Sequence, residues 1–393
     1  MAGRIRLAAG LAAAALIMLA PGQALAGTPE WQTLPTPNPG TGHNEFLDVS
    51  GTSANDVWAV GQYEVKPHVP RYALAAHWDG TTWRNVEVPI PEGKNNVDLA
   101  GVAALAPDDV WAVGSAGTTS DLSGTSLITH WDGSSWRIVS SPHVGTATTP
   151  NHLTAVAAAG PDDVWAVGYV SESAPSRALA LHWDGRSWTP VPLPSPGTGF
   201  TQLSGVAVRA SDDVWAVGYA PSRTAGHRIE PYVVHWDGRA WTRVDAPNDG
   251  AEGTWLTDVA ISASGEVYAS GSRRWYTWEG GLTGSAALMR YNGTAWSYVN
   301  VPSFDTEGTS VGDVAIAPNG EVWLAGFGRT ITGFARLSSG TWQLIEGASP
   351  EDWWGPSHEG LAIVGNRVWS VGFSNPTQDD NARTYAERSP ELP

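Results

Sequence analysis

Short apolar runs alternate along this chain with polar pairs and Gly-bounded turns, and the alternation repeats. In one copy, Leu203-Ser204-Gly205-Val206-Ala207-Val208 is followed by Asp212-Asp213 and then by Val214-Trp215-Ala216-Val217-Gly218. The second run is short, rich in β-formers and stopped by Gly, which predicts a strand buried on both faces. The acidic pair between the runs predicts a tight turn. Further on, His235-Trp236-Asp237-Gly238-Arg239-Ala240-Trp241 predicts a hairpin, because Asp-Gly supplies the positive φ angles of a two-residue turn. One unit thus gives four antiparallel strands.

The units can be counted. The aromatic of the second strand recurs at Trp58, Trp111, Trp165, Trp215, Tyr268, Trp323 and Trp369. Spacings near fifty residues point to arrays or propellers. The Trp that opens the fourth strand recurs only six times in step, at Trp83, Trp136, Trp188, Trp241, Trp296 and Trp342. The seventh is at the other end, where Trp31-Gln32-Thr33-Leu34-Pro35-Thr36-Pro37 matches Trp136-Arg137-Ile138-Val139-Ser140-Ser141-Pro142. The expected fold is therefore all-β: a seven-bladed β-propeller, four antiparallel strands per blade, with the last blade closed by the N-terminal strand so that no edge stays open. The blades should span roughly 45–89, 96–142, 151–194, 201–247, 254–302, 309–350, and 357–390 with 30–37.

These units resemble the Asp-Val-Trp-Ala-Val-Gly … His-Trp-Asp-Gly-x-x-Trp repeats of secreted bacterial β-propellers and, more distantly, Asp-box and Kelch repeats. The likeness covers about 30–390 and implies a seven-bladed propeller. It implies little about activity, because such repeats are structural. The Asp-box carries one residue between its Asp and Gly, whereas Asp79-Gly80, Asp132-Gly133, Asp184-Gly185 and Asp237-Gly238 are adjacent. No sialidase activity is carried over.

Residues 1–26 read as a secretory signal peptide: Arg4 and Arg6, an apolar stretch from Leu7 to Ala20, and the small-residue site Ala24-Leu25-Ala26. Residues 27–393 then form a single domain, expected outside the cell. Without Arg4 and Arg6 the chain has 20 basic against 39 acidic residues, a formal charge of −19. That excess argues against nucleic acid or an anionic membrane as partner. The absence of Cys excludes thiol chemistry and disulfide support.

In an up-and-down meander the Asp-Asp and Asp-Gly turns share one face. The variable loops Gln62–Arg71, Ser115–Thr125, Tyr219–Pro231 and Gly271–Gly284 share the other, the top, where binding is expected. Seventeen of the 22 Trp residues sit at repeat positions and belong to the core. The remaining five, Trp255, Trp275, Trp278, Trp353 and Trp354, fall with Tyr276 on the top face, near Arg273, Arg274 and Glu279. Such a cluster suits the apolar faces of sugar rings, or else packs a long loop. His77, His130, His182 and His235 repeat with the turn motif and read as structural. The residue opening each first strand should ring the channel mouth: Glu45, Asp98, His152, Gln202, Trp255, Ser310 and Ser357, with His358 and Glu359 beside the last. No nucleophile motif or metal spacing occurs, so no catalytic residue, metal ligand or cofactor is assigned. The expected function is glycan binding by a monomer. The alternatives are a polysaccharide hydrolase or lyase using carboxylates such as Glu252, Asp305, Glu307, Glu351 or Asp352, and a propeller that binds a secreted protein.

Overall fold

The repeats close into a ring. The computed structural model describes residues 30–392, except 68–69, 120–123, 147, 172–175, 198, 224–227, 250–252, 277–281, 303–308, 329–331, 349–355 and 376–380. The described strands form seven four-stranded antiparallel sheets, and no helix occurs among the described residues. The chain is a seven-bladed β-propeller. Blade 4 shows the plan, with strands Gln202–Ala210, Asp213–Pro221, Ile229–Trp236 and Trp241–Arg243 paired in that order. Blade 7 uses Ser357–Val364, Arg367–Ser374 and Arg383–Arg388, and its fourth strand is Gln32–Thr33. There Gln32 opposes Arg388 and Thr33 opposes Glu387.

Indoles lock neighbouring blades. At six of the seven joints a fourth-strand Trp packs on the second-strand Trp of the preceding blade: Trp136 meets Trp58 with centroids 5.2 Å apart and planes at 86°, and Trp241 meets Trp165 at 5.1 Å and 87°. Trp83 meets Trp369 at 6.1 Å and 84°, across the join between blades 7 and 1. Edge-to-face contact is the arrangement that aromatic quadrupoles favour. Trp31 completes the set, edge-on to Trp323 at 6.3 Å and stacked on Phe334 at 4.1 Å.

The Asp-Gly hairpin differs from the expected two-residue turn. Four residues join the strands, and only the Gly has positive φ, between 85° and 93° at Gly80, Gly133, Gly185 and Gly238. The Asp contributes its side chain instead. Asp237 Oδ1 accepts the N–H groups of Arg239 and Ala240, both at 2.9 Å, a side-chain substitute for a backbone turn. The repeated His is structural: His235 Nε2 lies 2.8 Å from Asp213 Oδ1, and its ring packs on Trp215 at 4.5 Å.

The first strands line the central channel. Each carries a bulge at the same level, between Leu203 and Gly205 in blade 4 and between His358 and Gly360 in blade 7. The bulged residue, Ser204 or Glu359, turns to the channel.

Candidate functional site

Strand pairing puts the mouth residues on one ring. Glu45, Asp98, His152, Gln202 and Trp255 oppose Gln62, Ser115, Tyr169, Tyr219 and Ser272, each of which follows the Gly that ends a second-strand apolar run. Ser310 and Ser357 hold the same register against Phe327 and Phe373. This level lies at the strand ends away from the Asp-Gly turns, on the expected top face.

Aromatic rings gather on one side of it. His152 stacks on Tyr169 at 4.9 Å, Tyr169 meets Phe200 at 6.2 Å, Phe200 meets Tyr219 at 5.6 Å, and Tyr219 meets Trp255 at 6.3 Å. The arc runs across blades 3 to 5. Phe200 is 40% exposed, one of few large apolar side chains so open. The Tyr219 hydroxyl donates to Gln202 Oε1 at 3.3 Å, which fixes the arc's middle.

Carboxylates occupy the other side. Glu45 accepts a hydrogen bond from Gln62 Nε2, Asp98 Oδ1 accepts one from Ser115 Oγ at 2.5 Å, and Glu359 Oε1 accepts one from Ser357 Oγ at 2.5 Å. Burial raises the pKa of Asp98, partly offset by the Ser115 hydrogen bond and His152. Burial likewise raises Glu359, and the Glu45 charge adds to it. His152 is held below its ordinary value by burial, against the pull of Asp98, so its imidazole is neutral at pH 7.

Below the mouth is a cavity of about 370 Å³. Its lining carries Asp48, Asp258, Asp313 and Glu359 and, among the described residues, no basic side chain. The three Asp residues tie first strands together: Asp48 Oδ2 accepts from Val102 N at 2.7 Å, Asp258 Oδ2 from Val314 N at 3.2 Å, and Asp313 Oδ2 from Leu361 N at 2.7 Å. Burial pushes Asp48 up to about 7 despite its backbone bonds. Burial also raises Asp258, and it raises Asp313 further with help from the charge of Asp258.

The remaining expected site residues divide. Arg273 is committed elsewhere, 3.2 Å from Asp249 and with its guanidinium 4.9 Å from the Tyr298 ring centroid. Arg274, Trp275 and Tyr276 lie in the strand Val267–Tyr276, opposite Gly284, Thr283 and Leu282, at its top end. Trp278, Glu279, Trp353 and Trp354 lie outside the described residues, as do Glu252, Asp305, Glu307, Glu351 and Asp352.

His358 corrects an expectation. It is not at the channel mouth but 1% exposed in the core, its ring 4.8 Å from Phe334 of blade 6. The bulge after it turns Glu359 to the channel and His358 inward. Tyr169 and Phe200 join the ring at the mouth without having been expected there, and Tyr219 joins it as the first residue of an expected top-face loop. The recurring Val-Gly-Tyr at 167–169 and 217–219 was the available signal.

No family model and no curated protein matches the chain. Solved structures share its fold. A PL25 ulvan lyase bound to -[GlcA(1-4)Rha3S]- matches with a TM-score of 0.58 and 11% identity, over 88% of this chain and 94% of that one. YCF48 bound to a D1 peptide matches at 0.57 and 15%, over 94% and 98%. The GH74 xyloglucanase from Xanthomonas campestris matches at 0.55 and 16%, over 91% of this chain but only 55% of that one.

Proposed function

We propose that this chain is a secreted, monomeric carbohydrate-binding propeller that holds a glycan of a cell wall or the environment at its channel mouth. The arc of His152, Tyr169, Phe200, Tyr219 and Trp255 carries this reading, because half-buried rings with an exposed Phe200 among them, beside hydrogen-bonding groups, suit the apolar faces of sugars. Export is supported by the charged, apolar and small-residue pattern of residues 1–26. Likeness to the repeats of secreted bacterial propellers supports the same setting. Glycan-active proteins among the fold's relatives are consistent with it.

Calorimetric titration with plant and bacterial polysaccharides tests the proposal. Replacing Phe200 and Trp255 together by Ala should weaken binding by roughly tenfold or more, about the effect of losing one to two ring contacts. Unchanged affinity in that variant would remove the arc from the site. New reducing ends or unsaturated uronate on prolonged incubation would add turnover. Indifference to every glycan, with a secreted protein retained instead, would favour protein recognition.

A further inference from the structure

The mouth has two unlike halves. Blades 3 to 5 present aromatic rings, and blades 7, 1 and 2 present Glu359, Glu45 and Asp98. The cavity beneath adds Asp48, Asp258 and Asp313. Three arginines on this face already have partners: Arg71 with Glu64 at 3.7 Å and Gln62 at 3.5 Å, Arg223 with Glu230 at 2.7 Å and Asp245 at 3.1 Å, and Arg273 with Asp249.

We propose that the mouth takes a glycan free of acidic groups and turns away polyanionic ones, with Glu45, Asp98 and Glu359 as the selecting residues. This rests on the glycan reading of the same site. A sugar lying on the arc directs its hydroxyl edge at the carboxylates. Hydroxyl groups donate to carboxylates, and such charge-assisted bonds are among the stronger ones. A uronate or sulfate there would meet like charge in a partly water-excluded site. The whole chain, at −17, opposes its approach as well. The inferred ligand class therefore differs from the acidic glycan named for the PL25 relative.

The test compares cellohexaose with hexagalacturonate in calorimetry, at low and high salt, on the full secreted chain. The uncharged hexamer should bind at least roughly tenfold more tightly at low salt, since that factor is about 1.4 kcal/mol and one close like-charge contact near a protein surface costs more. Added salt should narrow the gap by screening the repulsion. In a Glu45→Gln, Asp98→Asn, Glu359→Gln variant the ratio of the two affinities should fall by on the order of tenfold. Glu45→Gln alone should lower it in part, which covers the case in which the triple variant does not fold. Equal affinities in the unaltered protein, or a ratio that neither salt nor substitution moves, would overturn the proposal. So would weaker binding of a glucosamine hexamer than of cellohexaose, because the same carboxylates should attract its ammonium groups. Loss of all three sugars, with no effect of the Phe200 and Trp255 substitutions, would instead defeat the glycan reading itself.

Discussion

At the residue scale, blade 7 breaks the apolar rule of the core. His358 takes the register position held by Phe46, Leu99, Leu153, Leu203, Leu256 and Val311, while Ser370 and Glu387 take the place of Ala216 and Val234. His358 Nδ1 lies 2.9 Å from Ser370 Oγ and 3.5 Å from Glu387 Oε1, and Glu387 Oε2 accepts from Ala348 N at 2.6 Å. Burial drives both groups to their neutral forms, Glu387 up to about 8 and His358 down to about 4. The signs oppose. A raised acid stabilises the fold at low pH, and that contribution is lost between its ordinary 4.5 and about 8 as pH rises. A lowered His stabilises above its ordinary 6.5, and that contribution is lost as pH falls towards about 4. Between 4.5 and 6.5 the two slopes cancel. Glu387→Gln should therefore remove part of the stability loss above pH 6.5 and, with the cancellation gone, show the His358 loss from 6.5 down to about 4, read from urea midpoints across pH 4 to 9. Asp48, Asp258, Asp313, Asp98 and Glu359 titrate alike in both proteins, so the difference curve isolates Glu387. Parallel curves above pH 6.5 would show that Glu387 is already ionised in the fold.

At the element scale, the second strand announces itself and the first does not. Val-Trp-Ala-Val-Gly is apolar on both faces, so its burial follows from composition alone. The first strand alternates, and its faces depend on a one-residue bulge that sequence does not mark. The expectation that His358 faces the channel mouth fails for that reason, since a slip of one position exchanges core for channel. The aromatic arc was illegible for another: its rings come from a first strand, a second strand and a linker that meet only after the blades pack. The bulge has a further use. It puts Asp48 where Oδ1 accepts from Val49 N and Oδ2 from Val102 N of the next blade, each at 2.7 Å. Asp48→Ala leaves two N–H groups without that acceptor, and a cost of about 2–6 kcal/mol follows at roughly 1–3 kcal/mol per unsatisfied group. Chemical denaturation would measure it, and a loss below about 1 kcal/mol would mean that channel water replaces the carboxylate.

At the scale of the whole molecule, a ring is stable only if its last joint holds, and this joint is made by the two ends of the chain. The repeat count foretold it, because six outer Trp residues for seven units demanded a donor from elsewhere. The structure supplies Trp31 against Phe334 and Trp323, the pairs Gln32 with Arg388 and Thr33 with Glu387, and Leu34 N donating to Ala386 O at 2.9 Å. The clasp continues beyond the strand. Thr36 Oγ1 donates to Thr384 O at 2.7 Å, and Asn38 Oδ1 accepts from Thr384 N at 2.9 Å. Removing residues 1–37 deletes all but the last of these contacts. It also exposes the strand Arg383–Arg388 as an open edge, with unpaired N–H and C=O groups that invite pairing with another chain. The shortened protein should melt several degrees lower and associate in proportion to concentration, as light scattering after size exclusion would show. Addition of a synthetic peptide spanning residues 30–40 should restore both properties by refilling the vacant outer position. If the shortened chain stays monomeric at an unchanged melting temperature, then the other six joints, five of them built on edge-to-face indole pairs, hold the ring, and the terminal strand serves only as a cover.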